Sequence, residues 1–267
     1  MQAQSSIPNA RRAAIVAMLL VVATAANAQT ANAQTAVSQE HDGWQFSVTP
    51  YLWMAGQSGT VRVGQVVPAQ NVNVGFSNVL SNLDFGVMGT LEARKDRWLM
   101  IVDGFYIKLS RSSDPILGGD LGTARLSVDN GIVQFAGGYR VLQSETTPVD
   151  VLAGIRYTNL NTDLSFSPSP LLPAGAQHGD RVDWVDGFLG VRATYKFADR
   201  WTIWGYADAG AGGSNFSWQL IAALLWDATK SVSLSGGFRI LAQDYNTTSF
   251  YYNVKTAGPF LGVRVRF

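Results

Sequence analysis

The chain ends in the stretch Pro259-Phe260-Leu261-Gly262-Val263-Arg264-Val265-Arg266-Phe267, which alternates between apolar and polar residues up to its last position. Alternation with a period of two is typical of a β-strand with one apolar face. A terminal strand that closes on an aromatic residue, in a chain that opens with a secretory signal, is typical of bacterial outer-membrane barrels. The stretch therefore predicts a location in the outer membrane and indicates no activity.

The N-terminus has the organisation of an export signal. Arg11 and Arg12 form a positive region, 13–26 forms a short apolar core, and Ala26-Asn27-Ala28 matches the small-x-small cleavage pattern. An uncleaved anchor is the alternative, although 13–26 is short for a span of about 20 residues. We predict three segments, namely a signal peptide (1–28), a disordered leader (29–43) and an outer-membrane β-barrel domain (44–267).

Composition excludes several classes of protein. After the signal, the longest apolar run is Leu220–Trp226, whereas a membrane helix needs roughly 18 apolar residues. A mature chain that sits in a membrane must then form a closed barrel, because only helices and barrels satisfy every backbone polar group in lipid. The absence of cysteine excludes disulfides and thiolate metal sites, and a net charge of +1 gives no basic footprint for nucleic acid.

Turn residues divide the mature region into alternating runs. The runs are 44–54, 83–94, 98–109, 124–141, 148–164, 181–197, 200–212, 215–227, 231–245 and 255–267. Connectors after the even-numbered runs are short and polar and most others are longer, as in outer-membrane barrels, and both chain ends then lie on the periplasmic side. We predict an all-β fold, an antiparallel closed transmembrane β-barrel of about ten strands that ends on Phe267, or of eight or twelve if a weak run is miscounted.

The longer connectors carry two further predictions. Valine alternation around Pro68 predicts a hairpin over 58–76, and 77–83 matches a single helical turn; we place both outside the membrane or over the barrel mouth. The other long connectors are predicted at 110–123, 165–180 and 246–254.

Tryptophans cluster near the ends of the runs, which predicts aromatic belts at the two membrane surfaces. The residues concerned are Trp44, Trp98, Trp184, Trp201, Trp218 and Trp226. Ordinary core tryptophans are the alternative interpretation.

One short pattern, Gly-x-Arg, recurs on five runs with an apolar middle residue. If the apolar face meets lipid, the glycine and the arginine point into the lumen, and an arginine on the lipid side would cost roughly 2–4 kcal/mol at mid-depth. Several carboxylates share this face at similar depth. The predicted lumen charge network comprises Arg140, Arg156, Arg192, Arg239, Arg264, Glu92, Asp103, Asp186 and Asp208. Bidentate arginine–carboxylate pairs would fill a narrow barrel.

The charge network allows two interpretations. It can be packing that fills a lumen without an apolar core, or it can form a selective path for anions. The run that contains Asp103 does not sort cleanly, since both of its faces are apolar.

Candidate catalytic residues are few. Of the two histidines, His41 lies in the leader to the first run, and His178 lies in the predicted connector 165–180 with Asp180 and Asp183 nearby. Histidine can serve as a general base in outer-membrane proteases and lipid-modifying barrel enzymes, but one histidine beside an aspartate is also common by chance. No histidine pair has metal-ligand spacing, and no helix follows the glycine-rich stretches to cradle a phosphate. We therefore predict no enzyme, no catalytic residue, no metal site and no cofactor.

Several motifs resemble a group of poorly characterised proteobacterial outer-membrane β-barrel proteins. They are Tyr51-Leu52-Trp53, Gly59-Thr60-Val61, Phe76-Ser77-Asn78-Val79-Leu80-Ser81-Asn82-Leu83-Asp84-Phe85, Leu91-Glu92-Ala93-Arg94-Lys95 and Gly154-Ile155-Arg156-Tyr157. The resemblance spans nearly the whole mature chain. It implies an outer-membrane barrel, and it supplies no catalytic residues to transfer.

Together these observations predict a small, porin-like outer-membrane barrel with a charged, largely filled lumen and a structural or surface-interaction role. Its expected partners are outer-membrane lipid, lipopolysaccharide and, through the last strand and Phe267, the barrel-assembly machinery; nucleic acid is not expected. The alternatives are a narrow passive channel for small solutes, including anions, a rim enzyme, and a soluble ligand-binding barrel with apolar residues inside and arginines outside.

Overall fold

The computed structural model describes residues 43–63, 68–120 and 122–267. The predicted signal peptide, the predicted leader up to residue 42, and His41 lie outside the described residues. In chain order the elements are β1 (Gln45–Trp53), β2 (Gly56–Val63), β3 (Gln70–Val74), α1 (Phe76–Ser81), β4 (Leu83–Lys95), β5 (Trp98–Ser112), a 3-10 turn (Ile116–Gly119), β6 (Ala124–Leu142), β7 (Val149–Phe166), β8 (Ala176–Ala198), β9 (Trp201–Gly212), β10 (Phe216–Asp227), β11 (Val232–Asn246) and β12 (Phe250–Arg266).

Ten of these strands form one closed antiparallel barrel. β1 and then β4 to β12 follow one another around the wall, and β12 pairs with β1 to close it. The last residue takes part in the closure, since the amide of Phe267 donates to the carbonyl of Phe46 at 3.0 Å and the amide of Phe46 donates to the carbonyl of Phe267 at 3.1 Å. The predicted all-β, closed, antiparallel barrel of ten strands is confirmed.

β2 and β3 form a hairpin that prolongs the wall. β2 pairs with the first half of β12, from Phe250↔Val63 to Ala257↔Gly56, and β1 pairs with the second half. The hairpin predicted over 58–76 and the helical turn after it are both confirmed. Within the described ranges no helix is long and apolar enough to cross a membrane.

The connections distinguish two ends of the barrel. β4–β5, β6–β7, β8–β9 and β10–β11 are joined by short turns at one end, here called the short-turn end. The opposite end, here called the long-loop end, carries the β2–β3 hairpin and the 3-10 turn. β4 and β5 are joined by Asp96 and Arg97, and Asp96 has a φ of 51°, a left-handed conformation that aspartate adopts more readily than most residues.

Strands at the long-loop end extend further than the sequence predicted. β7 and β8 remain paired up to Phe166↔Ala176, so both ends of the predicted connector 165–180 are strand and the connection itself is 167–175. His178 lies on β8 opposite Leu164. β12 begins at Phe250, inside the predicted connector 246–254. The prediction failed because backbone pairing continues there while the outward side chains become polar, which removes the alternation that signals a strand.

Side chains sort by face along the barrel strands. The middle residues of the Gly-x-Arg motifs point outwards, with Ile155 55% exposed, whereas the adjacent Arg156 is fully buried in the lumen. On β5, Leu99, Asp103 and Phe105 point inwards and the outward residues are apolar as well. Both faces of β5 are therefore apolar because its inner side chains build core around Asp103.

Candidate functional site

Apolar clusters and polar layers alternate inside the lumen. One apolar cluster includes Trp53, Phe105 and Leu241, and a second includes Leu99 and Phe188. The buried charged side chains lie between and beside these clusters. They occupy the inward-pointing positions of the alternating strands. The lumen is therefore filled by side chains, and its polar layers are the candidate site.

Six polar side chains form a closed hydrogen-bonded ring across the lumen, here called the six-residue ring. In order around the ring they are Arg156, Asp208, Gln219, Arg239, Asp103 and Gln134. The order arginine, aspartate, glutamine occurs twice, and each residue comes from a different strand. Every neighbouring pair is joined by a hydrogen bond of 2.7 to 3.1 Å.

The ring is electrically balanced and closed to solvent. Arg156 donates to both carboxylate oxygens of Asp208 at 2.7 Å, and Arg239 donates to Asp103 at 2.8 Å. The hydroxyl of Tyr51 accepts from Arg239 at 2.8 Å and donates to Asp103 at 3.1 Å. Arg156 is 0% exposed and Arg239 is 3% exposed. Buried charges are tolerated when they are paired and hydrogen-bonded, and the ring meets both conditions.

A second polar layer lies towards the short-turn end, here called the short-turn layer. It consists of Glu92, Arg94, Arg140, Asp150, Arg192 and Arg264. Asp150 accepts from Arg94, Arg140 and Arg192, each at a shortest distance of 2.9 Å. Glu92 accepts two hydrogen bonds from Arg192, at 2.7 and 3.3 Å. Four guanidinium groups thus share two carboxylates, and this layer carries excess positive charge.

The structure brings together part of the predicted charge network. Arg156 pairs with Asp208, Arg239 with Asp103, and Arg192 with Glu92. Arg140 pairs with Asp150, which the sequence analysis did not single out. Arg264 makes no hydrogen bond and no ion pair with any described residue. It is close enough to Glu92 for their opposite charges to attract.

Asp186 does not join this network as predicted. It is fully buried and lies directly opposite Arg156 in the β7–β8 ladder. The guanidinium of Arg156 is directed to Asp208 instead, and Asp186 accepts from the amide and the hydroxyl of Ser214, each at 2.7 Å. Neighbouring positions in a ladder are therefore not always ion-pair partners.

Sequence reasoning missed several members of the two layers. Gln134 and Gln219 complete the ring, and Arg94 and Asp150 complete the short-turn layer. Asp150 could have been found, because the period of two that leads back from Arg156 reaches it on the same face. The two glutamines carry no charge and so did not stand out, although they too lie on inward positions.

Aromatic side chains fill the lumen near the long-loop end. Trp184 stacks on Tyr245 with ring centroids 4.5 Å apart, and Tyr252 and Phe250 pack beside them. Trp184 is 4% exposed, so its predicted place in an interfacial belt is wrong. Trp184 lies an even number of residues from Asp186 and Arg192 on β8, so its side chain points into the lumen as theirs do.

A cavity of about 100 Å³ lies between the six-residue ring and the short-turn layer. Ring members Asp103, Gln134 and Arg239 line it on one side, and Arg192 and Arg264 line it on the other. Its walls are apolar. The wall residues are Ile101, Ala136, Leu152, Phe188, Trp204, Ile221 and Phe260.

The remaining chemical candidates lie apart from these layers. His178 is exposed on β8, and no hydrogen bond joins it to a described side chain. Asp183 is 4.0 Å from Arg181 in an exposed ion pair. In the described part of the chain no three histidine, aspartate or glutamate side chains are grouped to hold a metal ion.

Comparison with known proteins finds likeness only among solved structures. No protein-family model and no curated protein matches the chain. The chain is similar to the outer membrane protease OmpT from Escherichia coli, with a TM-score of 0.49 and 9% identity over 88% of this chain and 100% of that chain. It is similar to Ail, the attachment invasion locus protein of Yersinia pestis, with a TM-score of 0.34 and 12% identity over 84% and 99%. The toluene transporter TodX of Pseudomonas putida gives a TM-score of 0.31 and 9% identity over 84% and 89%. At these identities the likeness concerns the fold alone.

Proposed function

We propose that this chain is a bacterial outer-membrane β-barrel with a closed lumen and a structural or surface-interaction role. The observation that carries the proposal is the six-residue ring. It spans the lumen, balances its own charge, and leaves Arg156 without solvent exposure. A ring of this kind blocks water and ions because its side chains are packed without solvent exposure and its polar groups are paired with one another.

The outer surface supports placement in a membrane. Outward side chains are large and apolar, as at Leu189, Ile155 and Leu261, which are 71%, 55% and 59% exposed. The outward residues of β10 run from Trp218 to Trp226, and at about 3.3 Å per residue and a tilt of about 45° they cover roughly 20 Å of depth. A soluble ligand-binding barrel would show the reverse arrangement, with arginines outside.

Planar-bilayer recording tests the closed lumen. The purified full-length chain, reconstituted in a lipid bilayer, should give a stable trace without current steps. Detergent-dependent extraction from cells and a shift in gel mobility on boiling should accompany it. Reproducible ion-selective steps that change in an Arg239→Gln variant would replace the closed-lumen proposal with a channel.

A narrow anion path is the second candidate, and the short-turn layer favours it. Four guanidinium groups face two carboxylates there, so a small anion would be attracted into the lumen from that end. Anion-selective conductance in the same recordings would support this candidate over the first.

We also propose two partners. Lys108 and Arg125 are exposed at the long-loop end, where they suit the phosphates of lipopolysaccharide. Lipopolysaccharide in the vesicles should raise the unfolding free energy of the wild-type barrel and not that of the double variant Lys108→Gln/Arg125→Gln. An equal increase for the wild type and the double variant would contradict this. Phe267 stacks on Phe46 with centroids 6.3 Å apart and ends the closing strand, so we propose that strand as the segment that the barrel-assembly machinery binds.

The proposal assigns no catalysis. His178 is exposed, and within residues 43–63, 68–120 and 122–267 no hydrogen bond orients its ring as a general base. A His178→Ala variant that lost a lipid- or peptide-cleaving activity of the wild-type chain would overturn this assignment.

A further inference from the structure

Two hydrogen-bond donors that line the lumen cavity have no partner among the described residues. Arg264 makes no hydrogen bond and no ion pair, and the indole N–H of Trp204 is buried without an acceptor. Each comes from a different part of the wall, Trp204 from β9 and Arg264 from β12. A buried donor without an acceptor is destabilising, and the indole N–H of Trp204 is such a donor. The guanidinium of Arg264 is only partly buried, so its contribution to the cavity is a charge that no described carboxylate contacts.

The carboxylates that line the cavity are already occupied. Asp103 accepts from Arg239, Gln134, Tyr51 and Thr90. Glu92 accepts both of its short hydrogen bonds from Arg192. Each carboxylate is therefore already paired with a guanidinium other than that of Arg264.

The charges around Arg264 come from several strands. Glu92 on β4 and Asp227 on β10 attract it, whereas Arg192 on β8 and Arg266 on its own strand repel it. Asp227 is itself paired with Arg266 at 2.7 Å. The layer therefore has two more guanidinium groups than carboxylates, and Arg264 is the guanidinium that no described carboxylate contacts.

We propose that the lumen cavity binds a small inorganic anion, a halide or a small oxyanion, between the guanidinium of Arg264 and the indole N–H of Trp204. An anion satisfies both donors and offsets the excess charge of the short-turn layer. The size agrees with this class, since a water needs roughly 10–15 Å³ of the same kind of space and the cavity has about 100 Å³. An ion with part of its hydration shell can therefore enter.

The anion enters from the short-turn end and stops at the ring. Side chains of Arg94, Glu92 and Arg192 are 15%, 16% and 12% exposed, so solvent reaches the short-turn layer. The side chains of Arg156 and Asp208 in the ring are 0% exposed. The site is thus a pocket with one entrance, and binding there requires no conduction.

Anion titration of the full-length chain in detergent micelles tests the proposal. Sodium chloride, sodium bromide and sodium phosphate are each titrated against sodium gluconate at constant ionic strength, with binding heat and tryptophan emission as readouts. We expect saturable one-site binding of at least one of the three over the gluconate reference.

Arg264→Gln keeps the side chain as far as Cδ, removes the charge and breaks no hydrogen bond of the described structure, so it should fold. It should weaken anion binding about tenfold or more, because a charge-assisted hydrogen bond is lost. Trp204→Phe keeps most of the ring and should weaken binding less. The matched control is Arg200→Gln, which removes an exposed guanidinium from the same barrel end and should leave binding unchanged.

Bromide diffraction gives a direct second measurement. Crystals soaked in bromide should show an anomalous peak between Arg264 and Trp204 in the wild-type protein and none there in Arg264→Gln. Absence of saturable binding, or equal binding by the wild type and Arg264→Gln, would overturn the proposal. Since conductance is recorded separately, a barrel that conducts and yet binds no anion would count against both proposals independently.

Discussion

Replacement of Arg156 by methionine should destabilise the barrel more than any surface substitution. The guanidinium donates to Asp208, Gln134 and Ser217 and lies 5.1 Å from the ring centroid of Phe188. Its loss leaves Asp208 as a buried carboxylate whose remaining hydrogen bond in the ring comes from Gln219 at 3.1 Å. Removal of one partner of a buried ion pair costs about 3–5 kcal/mol, and we expect a loss of unfolding free energy in that range.

The double variant tests whether that loss comes from the stranded charge. Asp208→Asn alone strands the guanidinium, whereas Arg156→Met with Asp208→Asn leaves no unpaired charge. The double variant should therefore lose about 1–3 kcal/mol less than the sum of the two single variants. Equilibrium urea unfolding in lipid vesicles, followed by tryptophan emission, measures all three.

Arg181→Met is the matched control. Arg181 lies 4.0 Å from Asp183, and their side chains are 64% and 51% exposed. An exposed pair of this kind should change stability by less than about 0.5 kcal/mol. Equal losses of stability in Arg156→Met and Arg181→Met would contradict a structural role for the six-residue ring. Additive effects of Arg156→Met and Asp208→Asn would contradict it as well.

Three further outcomes are expected. Gly154→Ala should cost about 1–3 kcal/mol in urea unfolding, because a Cβ there would overlap a neighbouring carbonyl oxygen and a phenylalanine ring, whereas Gly137→Ala, with nothing within 4 Å, should be close to neutral. Leu189→Arg should cost up to about 2–4 kcal/mol in vesicles if this outward position meets lipid, while the control Leu171→Arg in the β7–β8 connection should be neutral; equal losses would contradict the membrane placement. Removal of Phe267 should slow folding into vesicles, measured by the boiling-dependent gel shift, and an unchanged rate would count against its role in closure.

The strands were predictable where one face is apolar. Val191 and Arg192 illustrate this, since their alternation assigns one to the outside and the other to the lumen, and the structure places them so. At the long-loop end both faces of β8 are polar, so the same reasoning assigned 165–180 to a loop. Backbone pairing there depends on the neighbouring strand and leaves no periodic signature in the sequence.

Which side chains pair inside the lumen was less predictable than which side chains point into it. Arg192 and Glu92 lie far apart in the chain and on strands that are not neighbours, yet they meet across the lumen at 2.7 Å. Arg156 and Asp186 are direct ladder neighbours and do not pair. Which groups meet depends on strand tilt and on the stagger of the closed barrel, and neither can be read from the alternation of a single strand.

The two polar layers differ in a way that filling alone does not explain. A lumen that only needs packing is best served by balanced charges, because each surplus guanidinium repels its neighbours. The six-residue ring follows that rule, with its two guanidinium groups matched by two carboxylates. The short-turn layer departs from it, since Arg264 lines the cavity with Arg192 and has no hydrogen-bond or ion-pair partner in the described part of the chain. The departure lies where solvent can enter and the balance lies where it cannot, so we infer that the ring closes the barrel and the short-turn layer accepts a charged ligand.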